Sequence, residues 1–234
     1  MSEEKDNNQF QLTDKIIEQV EQLIESNNDK ELQRFLSEFH YADIAEILDE
    51  LDQNEGVYVI KLLDSETTSD ILMELDEDIR EKVLQNLSAK EIAEEIEELD
   101  TDDAADMISE LPEDRQLEVI SNIVDAEHKA EIEELLAYDE DTAGGLMAKE
   151  LVKVYETWTV AGCMRRIRGQ AKDVTRVHSI YVVDKQDKLI GRLSLKDLII
   201  AKSDQKIAEI SNSSVDFVNV HDDVEEAHRY WASL

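Results

Sequence analysis

Residues 39–63 read FHYADIAEILDELDQNEGVYVIKLL, and an apolar residue recurs in this stretch every twelve positions. The same period continues as far as residue 135. One apolar series ends each twelve-residue unit: Phe39, Leu51, Leu63, Leu75, Leu87, Leu99, Leu111, Ile123 and Leu135. A second series lies three residues earlier: Leu36, Leu48, Ile60, Leu72, Leu84, Ile96, Ile108, Ile120 and Ile132. Such regular repetition predicts an array of similar structural units.

Each unit is predicted to form one short helix. A third series, one residue before the second, is weaker and is interrupted by Glu95 and Glu131. Together the series place apolar residues at i, i+1 and i+4, the spacing of a helical face. Side chains suited to cap a helix start follow several units: Asp52, Asp64, Asp76, Ser88 and Asp100. We therefore expect helices of about nine residues, joined by tight turns and stacked into a right- or left-handed superhelix.

Composition excludes several classes of protein. The 234 residues include 58 Asp and Glu but only 24 Lys and Arg, a formal net charge of −34. Nucleic acid and anionic membrane surfaces are therefore poor partners.

The single cysteine, Cys163, has no second cysteine for an internal disulfide, and we expect it to pack inside a helix. The first residues do not resemble a signal peptide and no long apolar run follows, so a soluble chain is predicted.

The pattern changes at Tyr138, where strand-like segments begin. The predicted strands are 151–155, 177–183, 189–193 and 215–220. Helical patterns separate them near 159–170, 194–201 and 222–231, and residues 184–188 indicate a hairpin turn. This order predicts an α/β module of about 60 residues, with a second copy starting near Ile207.

Four segments of this module resemble the first cystathionine-β-synthase (CBS) motif of the MgtE family of magnesium transporters. They are Thr142-Ala-Gly-Gly-Leu-Met147, Ile180-Tyr-Val-Val-Asp184, Leu189-Ile-Gly191 and Leu193-Ser-Leu-Lys-Asp-Leu198. The acidic superhelix before them resembles that family's N domain. The resemblance implies a mainly α fold, a superhelix of short helices followed by an α/β CBS module whose second motif is truncated. The expected organisation is a disordered tail at 1–11, the N domain at 12–137, the first CBS motif at 138–206 and the start of the second at 207–234.

The resemblance also implies a Mg²⁺ sensor. Asp102 and Asp106 lie at i, i+4, so both project from one helix face, and carboxylate oxygens are suitable Mg²⁺ ligands. By the resemblance, Asp70, Asp102 and Asp106 of the N domain face Glu226 of the CBS region. Mg²⁺ bridging the two sides is expected to close the pore. The intact protein would be a homodimer through its CBS domains at the cytoplasmic face of the bacterial inner membrane, attached to a transmembrane pore domain that this sequence lacks.

Adenine nucleotide is a further ligand implied by the resemblance. Tyr181 and Asp197 are the residues that would hold the base and ribose of ATP. A basic cluster is either an exposed helix face or a contact for nucleotide phosphates; its members are Arg165, Arg166, Arg168, Lys172 and Arg176.

Two other functional classes stay open as alternatives. One is an acidic scaffold that binds a basic protein and uses the CBS module as an adaptor; the other is an adenine-nucleotide sensor. Asp139, Asp141, Gly144 and Glu150 match four positions of a calcium-binding EF-hand loop, but Ala143 and Met147 occupy positions that need oxygen ligands. No catalytic constellation is recognisable, so an enzyme is not expected.

Overall fold

The computed structural model describes residues 10–170 and 179–231. The chain forms two compact units, one made of the described residues up to Leu99 together with Asp103–Ala130, the other of Asp100–Asp102 and the described residues from Glu131 onward. The helices before the sheet are α1 (Asp14–Glu25), α2 (Asp29–Leu36), α3 (Tyr41–Glu50), α4 (Gln53–Leu62), α5 (Ser65–Glu74), α6 (Glu77–Gln85), α7 (Ala89–Ile96), α8 (Thr101–Ser109), α9 (Glu113–Asn122) and α10 (Ala126–Leu135).

The helices α3 to α10 confirm the twelve-residue unit. Each is eight to ten residues long, and Leu51, Leu63 and Leu75 lie directly after α3, α4 and α5. The second apolar series is buried throughout except at Ile120, which is half-buried. The buried residues of the core therefore recur every twelve positions, as the apolar residues of the sequence do.

Side-chain caps start several of these helices. Asp52 accepts hydrogen bonds from the Asn54 and Glu55 N–H groups, and Ser88 forms the predicted capping box with Glu91. Asp76, predicted as a cap, makes no side-chain capping bond with the described residues. His40 caps α3 instead of a shorter polar residue: its Nδ1 accepts from the Ala42 N–H at 3.4 Å.

Helices of the array pack mainly against the helix two positions along the chain. The contacts α1–α3, α3–α5, α5–α7 and α7–α9 form one series, and α4–α6 belongs to the alternate one. Phe10, within the predicted tail, packs its ring edge-on against Phe39 at a centroid distance of 5.5 Å. This stacking buries faces that short helices could not bury alone.

The second unit contains a three-stranded sheet. Its strands are β1 (Val152–Tyr155), β2 (Ile180–Val183) and β3 (Leu189–Leu193), in the order β1-β2-β3. β1 and β2 are parallel and connected through α11 (Val160–Gln170), whereas β2 and β3 form an antiparallel hairpin. The remaining helices are α12 (Leu195–Ile200), α13 (Ile207–Ile210) and α14 (Val224–Trp231). Cys163 is fully buried in this unit's core, as predicted, and burial raises its pKa to about 11.

The predicted strand at 215–220 is wrong. Residues 213–219 have no regular secondary structure, and Val220 uses its carbonyl to accept the Gly144 N–H at 2.8 Å. Alternating apolar residues favour a strand only where a neighbouring strand offers backbone partners. Among residues 10–170 and 179–231, the pairing of this part of the chain with β3 is an isolated bridge between Arg192 and Asn212.

Close packing explains the glycine pair before β1. A Cβ on Gly144 would lie 2.6 Å from the Tyr138 ring and 2.8 Å from the Val220 carbonyl oxygen. A Cβ on Gly145 would lie 2.6 Å from the Asp139 carbonyl oxygen. Glycine is therefore required for the backbone to pass here.

The fold class predicted from the sequence is confirmed: short stacked helices precede a small α/β module. Within residues 10–170 and 179–231, no helix has both the length and the apolar character needed to span a membrane.

Candidate metal-binding carboxylates

Asp102 and Asp106 lie one turn apart on α8. Asp102 is half-buried and Asp106 is exposed. The charge of Asp106 contributes to raising the pKa of the Arg80 guanidinium. The predicted i, i+4 pair is therefore present on one helix, and the positively charged side chain of Arg80 lies near Asp106.

Arg80 was not predicted as a structural residue. Its side chain on α6 is buried, and its Nε and Nη2 donate to the two carboxylate oxygens of Glu110 at 2.9 and 2.5 Å. Its Nη1 donates to the Leu72 carbonyl at 3.1 Å and the Leu75 carbonyl at 3.3 Å. The hydrogen bonds that Arg80 donates to Glu110 raise the pKa of Arg80, so the guanidinium stays charged and ties the end of α5 to the residue that follows α8.

Asp70 lies on a different helix, α5, where its side chain is exposed. It lines a groove of about 710 Å³ together with Asp64, Glu66 and the side chains of His40 and Tyr41. Helix α14 carries Glu226, whose side chain is outside the described part of the structure. Asp70, Asp102, Asp106 and Glu226 as a set of metal ligands stay a prediction.

The donor chemistry suits a hard divalent cation. In the described part of the chain, no group of three or more His, Cys, Asp or Glu side chains is arranged to hold a metal ion. Mg²⁺ retains several waters and binds proteins through one or two carboxylates. The α8 pair supplies two carboxylates, the number that such a site needs.

Charge is concentrated in the helical array. Residues 10–137 contain 39 acidic and 9 basic residues, a net charge of −30, whereas residues 138–234 contain 16 and 14, a net charge of −2. The array therefore accounts for most of the negative field of the chain, which attracts cations from solution.

Tyr181 and Asp197, the predicted nucleotide contacts, lie on the α/β module. Tyr181 is exposed in the middle of β2 and is in register with Lys153 on β1 and Arg192 on β3, both exposed. Residues in register share a sheet face, so a tyrosine lies between two cations. The sequence reasoning did not identify Lys153 or Arg192, because their register depends on the pairing of three separate strands.

Asp197 forms a capping box at the start of α12. Its Oδ2 accepts from the Ser194 hydroxyl at 2.6 Å and from the Ser194 N–H at 3.3 Å. These bonds hold the pKa of Asp197 below its ordinary value. Of the basic cluster, Arg165, Arg166 and Arg168 are exposed on α11, and Lys172 and Arg176 lie outside the described residues.

The EF-hand match at 139–150 has a different explanation. Glu150, which would supply the last calcium ligand, accepts hydrogen bonds from the N–H and hydroxyl of Thr101, both at 3.0 Å. The residues after it form β1 and not a helix.

These features define a class of protein: an acidic array of short helices followed by a small α/β module. Comparison with known proteins identifies the family. Residues 39–141 match the family model of the MgtE intracellular N domain, and residues 143–204 match that of the CBS domain. The chain belongs to the MgtE family of magnesium transporters and corresponds to its cytosolic region.

Relatives of known function agree with this assignment. The magnesium transporter MgtE of Thermus thermophilus is 45% identical over 98 residues, which are 42% of this chain and 22% of that protein. The MgtE of Enterococcus faecalis is 39% identical over 92 residues, 39% of this chain and 20% of that protein. The matched part thus spans about a fifth of the length of these relatives.

Solved structures cover nearly the whole chain. A crystal structure of the cytosolic domain of the Mg²⁺ channel MgtE in complex with ATP aligns with a TM-score of 0.84 and 33% identity, covering 93% of this chain and 88% of the other. The crystal structure of the soluble part of a magnesium transporter aligns with a TM-score of 0.80 and 26% identity, covering 94% and 86%.

Proposed function

We propose that this chain is the Mg²⁺-sensing regulatory region of a magnesium transporter, located on the cytosolic side of the membrane. The observation that carries the proposal is the Asp102–Asp106 pair on α8, within the N domain of a magnesium-transporter family. The role is regulatory and not catalytic, in keeping with relatives that are named as transporters.

The proposed mechanism is electrostatic. Without a bound cation, carboxylates of the acidic array repel one another and any acidic surface brought near them. Mg²⁺ bound at Asp102 and Asp106, with Asp70 and Glu226 as further ligands, removes this repulsion and favours the conformation in which those residues approach. A ligand that binds one conformation more tightly shifts the population towards it, and in the whole transporter that conformation closes the pore.

The same proposal implies two partners, the pore domain of the transporter and a second copy of the chain. The chain acts on the transmembrane pore domain of its own protein, and two copies associate through their CBS domains. Both are proposals drawn from the family, since the chain matches only about a fifth of the relatives' length.

A Mg²⁺ titration at constant ionic strength tests the sensor. We expect millimolar Mg²⁺ to compact the chain in small-angle scattering and to raise its melting temperature. At a free concentration ten times the dissociation constant, binding adds about 1.4 kcal/mol of stability, or roughly 4 °C in melting temperature. The double variant Asp102→Ala/Asp106→Ala should lose most of both responses.

The matched control is Asp114→Ala/Glu118→Ala. These residues are also one turn apart and exposed on a neighbouring helix, α9, and removing them changes the net charge by the same amount. The proposal requires the control to respond as the wild type does. Equal losses in both double variants, or an equal wild-type response to NaCl, would reduce the effect to charge screening.

A second candidate function, adenine-nucleotide binding, is favoured by the exposed sheet face. Tyr181 offers an aromatic surface for a base, and Lys153 and Arg192 on either side offer charge for phosphates. The MgtE cytosolic structure in complex with ATP makes the same ligand plausible for this chain.

Isothermal titration with ATP in metal-free buffer measures this second function. We expect Tyr181→Ala and Arg192→Ala each to weaken binding by roughly tenfold, the loss of one stacking or charged contact. Ser194→Ala removes the cap of α12 but keeps the Asp197 carboxylate, so it separates local folding from ligand contact. An absence of measurable ATP binding by the wild type would end this candidate.

A further inference from the structure

Residues 149 and 150 are bound to the start of α8. Thr101, the first residue of that helix, is fully buried. Its N–H donates to Glu150 Oε1 and its hydroxyl donates to Glu150 Oε2, both at 3.0 Å. The Lys149 N–H in turn donates to the Thr101 hydroxyl oxygen at 2.9 Å. We call this set of three hydrogen bonds the Thr101–Glu150 clasp.

The clasp gives the start of α8 a hydrogen-bond acceptor from a distant part of the chain. Helix N-termini are generally capped by the residue just before them, whereas this carboxylate comes from 49 residues further along the chain. A charged acceptor strengthens a hydrogen bond from the first N–H groups of a helix and is also favoured by the helix dipole. The clasp is thus a specific tertiary contact and not a local turn.

A second contact holds the same segment from the other side. Lys149 Nζ lies 2.6 Å from Glu134 Oε1 on α10, and the Lys149 side chain is only 18% exposed. Residues 149–150 are therefore attached both to α8 and to α10, which limits their independent movement.

The clasp lies between the candidate sensor residues and the sheet. Asp102 follows Thr101 directly on α8, and Asp106 is one turn further. On the other side, β1 begins at Val152, two residues after Glu150, and Val152 is buried and paired with Ile180. A displacement of the first turn of α8 must therefore move the start of β1 or break the clasp.

We propose that Thr101 and Glu150 are positioning residues that couple cation binding on α8 to β1 of the CBS module; this inference rests on the proposed Mg²⁺ function. Asp102 and Glu150 share the N-terminal end of α8, where like charges repel. Neutralising Asp102 with a cation relieves that repulsion, tightens the clasp and orders the residues that lead into β1.

Hydrogen exchange of the full chain, with and without Mg²⁺ at constant ionic strength, measures the response of α8 and the response of residues 149–155 separately. In the wild type, Mg²⁺ should slow exchange both in peptides of α8 and in peptides covering 149–155. In Thr101→Val, which removes the hydroxyl with little change in volume, α8 should keep its response while 149–155 loses at least about half of its own. Thr101→Ser restores the hydroxyl and should restore the response.

One further variant tests the charge of Glu150, and another is a control that changes the neighbouring side chain but leaves the clasp intact. Glu150→Gln keeps one oxygen for the Thr101 N–H but removes the charge, and it should likewise weaken the response at 149–155. Lys149→Met removes the ion pair with Glu134 but keeps the backbone donor of the clasp, and it should respond as the wild type does.

The outcomes separate the two proposals. If α8 fails to respond in the wild type, the Mg²⁺ function is wrong and the coupling with it. If α8 responds and 149–155 responds equally in wild type, Thr101→Val and Glu150→Gln, the coupling is overturned while the sensor stands. Failure of Thr101→Ser to recover would also overturn the role of the hydroxyl.

Discussion

Glu95 occupies an apolar position of the repeat with a carboxylate. Its Oε2 is enclosed and has no hydrogen-bond donor among the described residues. Desolvation, followed by the charges of Glu94, Glu98, Asp64 and Glu91, raises its pKa from 4.5 to about 7. The sequence had marked this residue as a break in the third apolar series, but only the fold reveals that the carboxylate stays inside.

Glu95 should make the stability of the chain fall as pH rises. Between pH 4.5 and about 7 the unfolded chain has lost this proton while the folded chain still binds it. The free energy of unfolding therefore decreases with pH across this window and levels off above it. Glu95→Gln should remove this component and add about 1 to 2 kcal/mol at pH 8, after discounting for partial exposure.

Urea unfolding of wild type and Glu95→Gln at pH 5, 6, 7 and 8 measures the difference. Glu18→Gln, on the exposed face of α1, is the control for loss of one negative charge, and its difference from wild type should stay nearly constant with pH. A pH-independent difference for Glu95→Gln as well would contradict a buried, protonated Glu95.

At the level of elements, the arrangement of helices and strands was largely predictable. The twelve-residue period predicts where α3 to α10 end, because one apolar residue per unit has to reach the core at the same point. Helix α12, with its Ser194 cap, and strand β3 also lie where their patterns predicted. The strand expected at 215–220 fails because strand formation depends on a partner that alternation in one segment does not reveal.

Contacts between distant polar residues were not predictable. Arg80 is a charged residue on a buried position, which a search for apolar periodicity passes over, and its partner Glu110 is 30 residues away. The Thr101–Glu150 clasp is likewise a contact between polar residues that are far apart in the sequence. For the candidate site, the i, i+4 spacing of Asp102 and Asp106 follows from the sequence alone, whereas the partners that fix α8 come from elsewhere in the chain.

Arg80 should be among the residues on which the helical array depends most. Arg80→Lys keeps the charge but loses the two-pronged bond to Glu110 and the bonds to the α5 carbonyls. Leaving these buried groups unpaired should cost about 2 to 4 kcal/mol in urea unfolding. Lys82→Ala, an exposed cation on the same helix, should change stability by less than about 0.5 kcal/mol. A loss in Arg80→Lys as small as that in Lys82→Ala would show that Arg80 acts through its charge and not through the geometry of its hydrogen bonds.

At the scale of the whole molecule, most of the excess negative charge resides in residues 10–137, with a net charge of −30. Repulsion within such a unit opposes folding, and salt screens it: the Debye length falls from about 30 Å at 0.01 M to about 8 Å at 0.15 M. The chain should therefore be sensitive to ions of every kind, and a specific response to Mg²⁺ has to be read above that background.

Raising NaCl from 10 to 150 mM should increase the melting temperature by about 3 to 6 °C, the shift expected from 1 to 2 kcal/mol in a chain of this size. Choline chloride should act nearly as well, because screening depends on ionic strength and not on the identity of the cation. A melting temperature that stays constant or falls with salt would mean that the acidic residues are already neutralised by their neighbours in the fold.

The packing of each helix on the helix two positions away has a consequence for how such arrays change in length. Removing or adding one unit of twelve residues would move every later helix into the opposite series and place its apolar face against the wrong neighbour. A change of two units, 24 residues, keeps each remaining helix in its series. Insertions and deletions that this architecture tolerates should accordingly come in whole helix pairs, and related chains should differ in length by multiples of 24 residues.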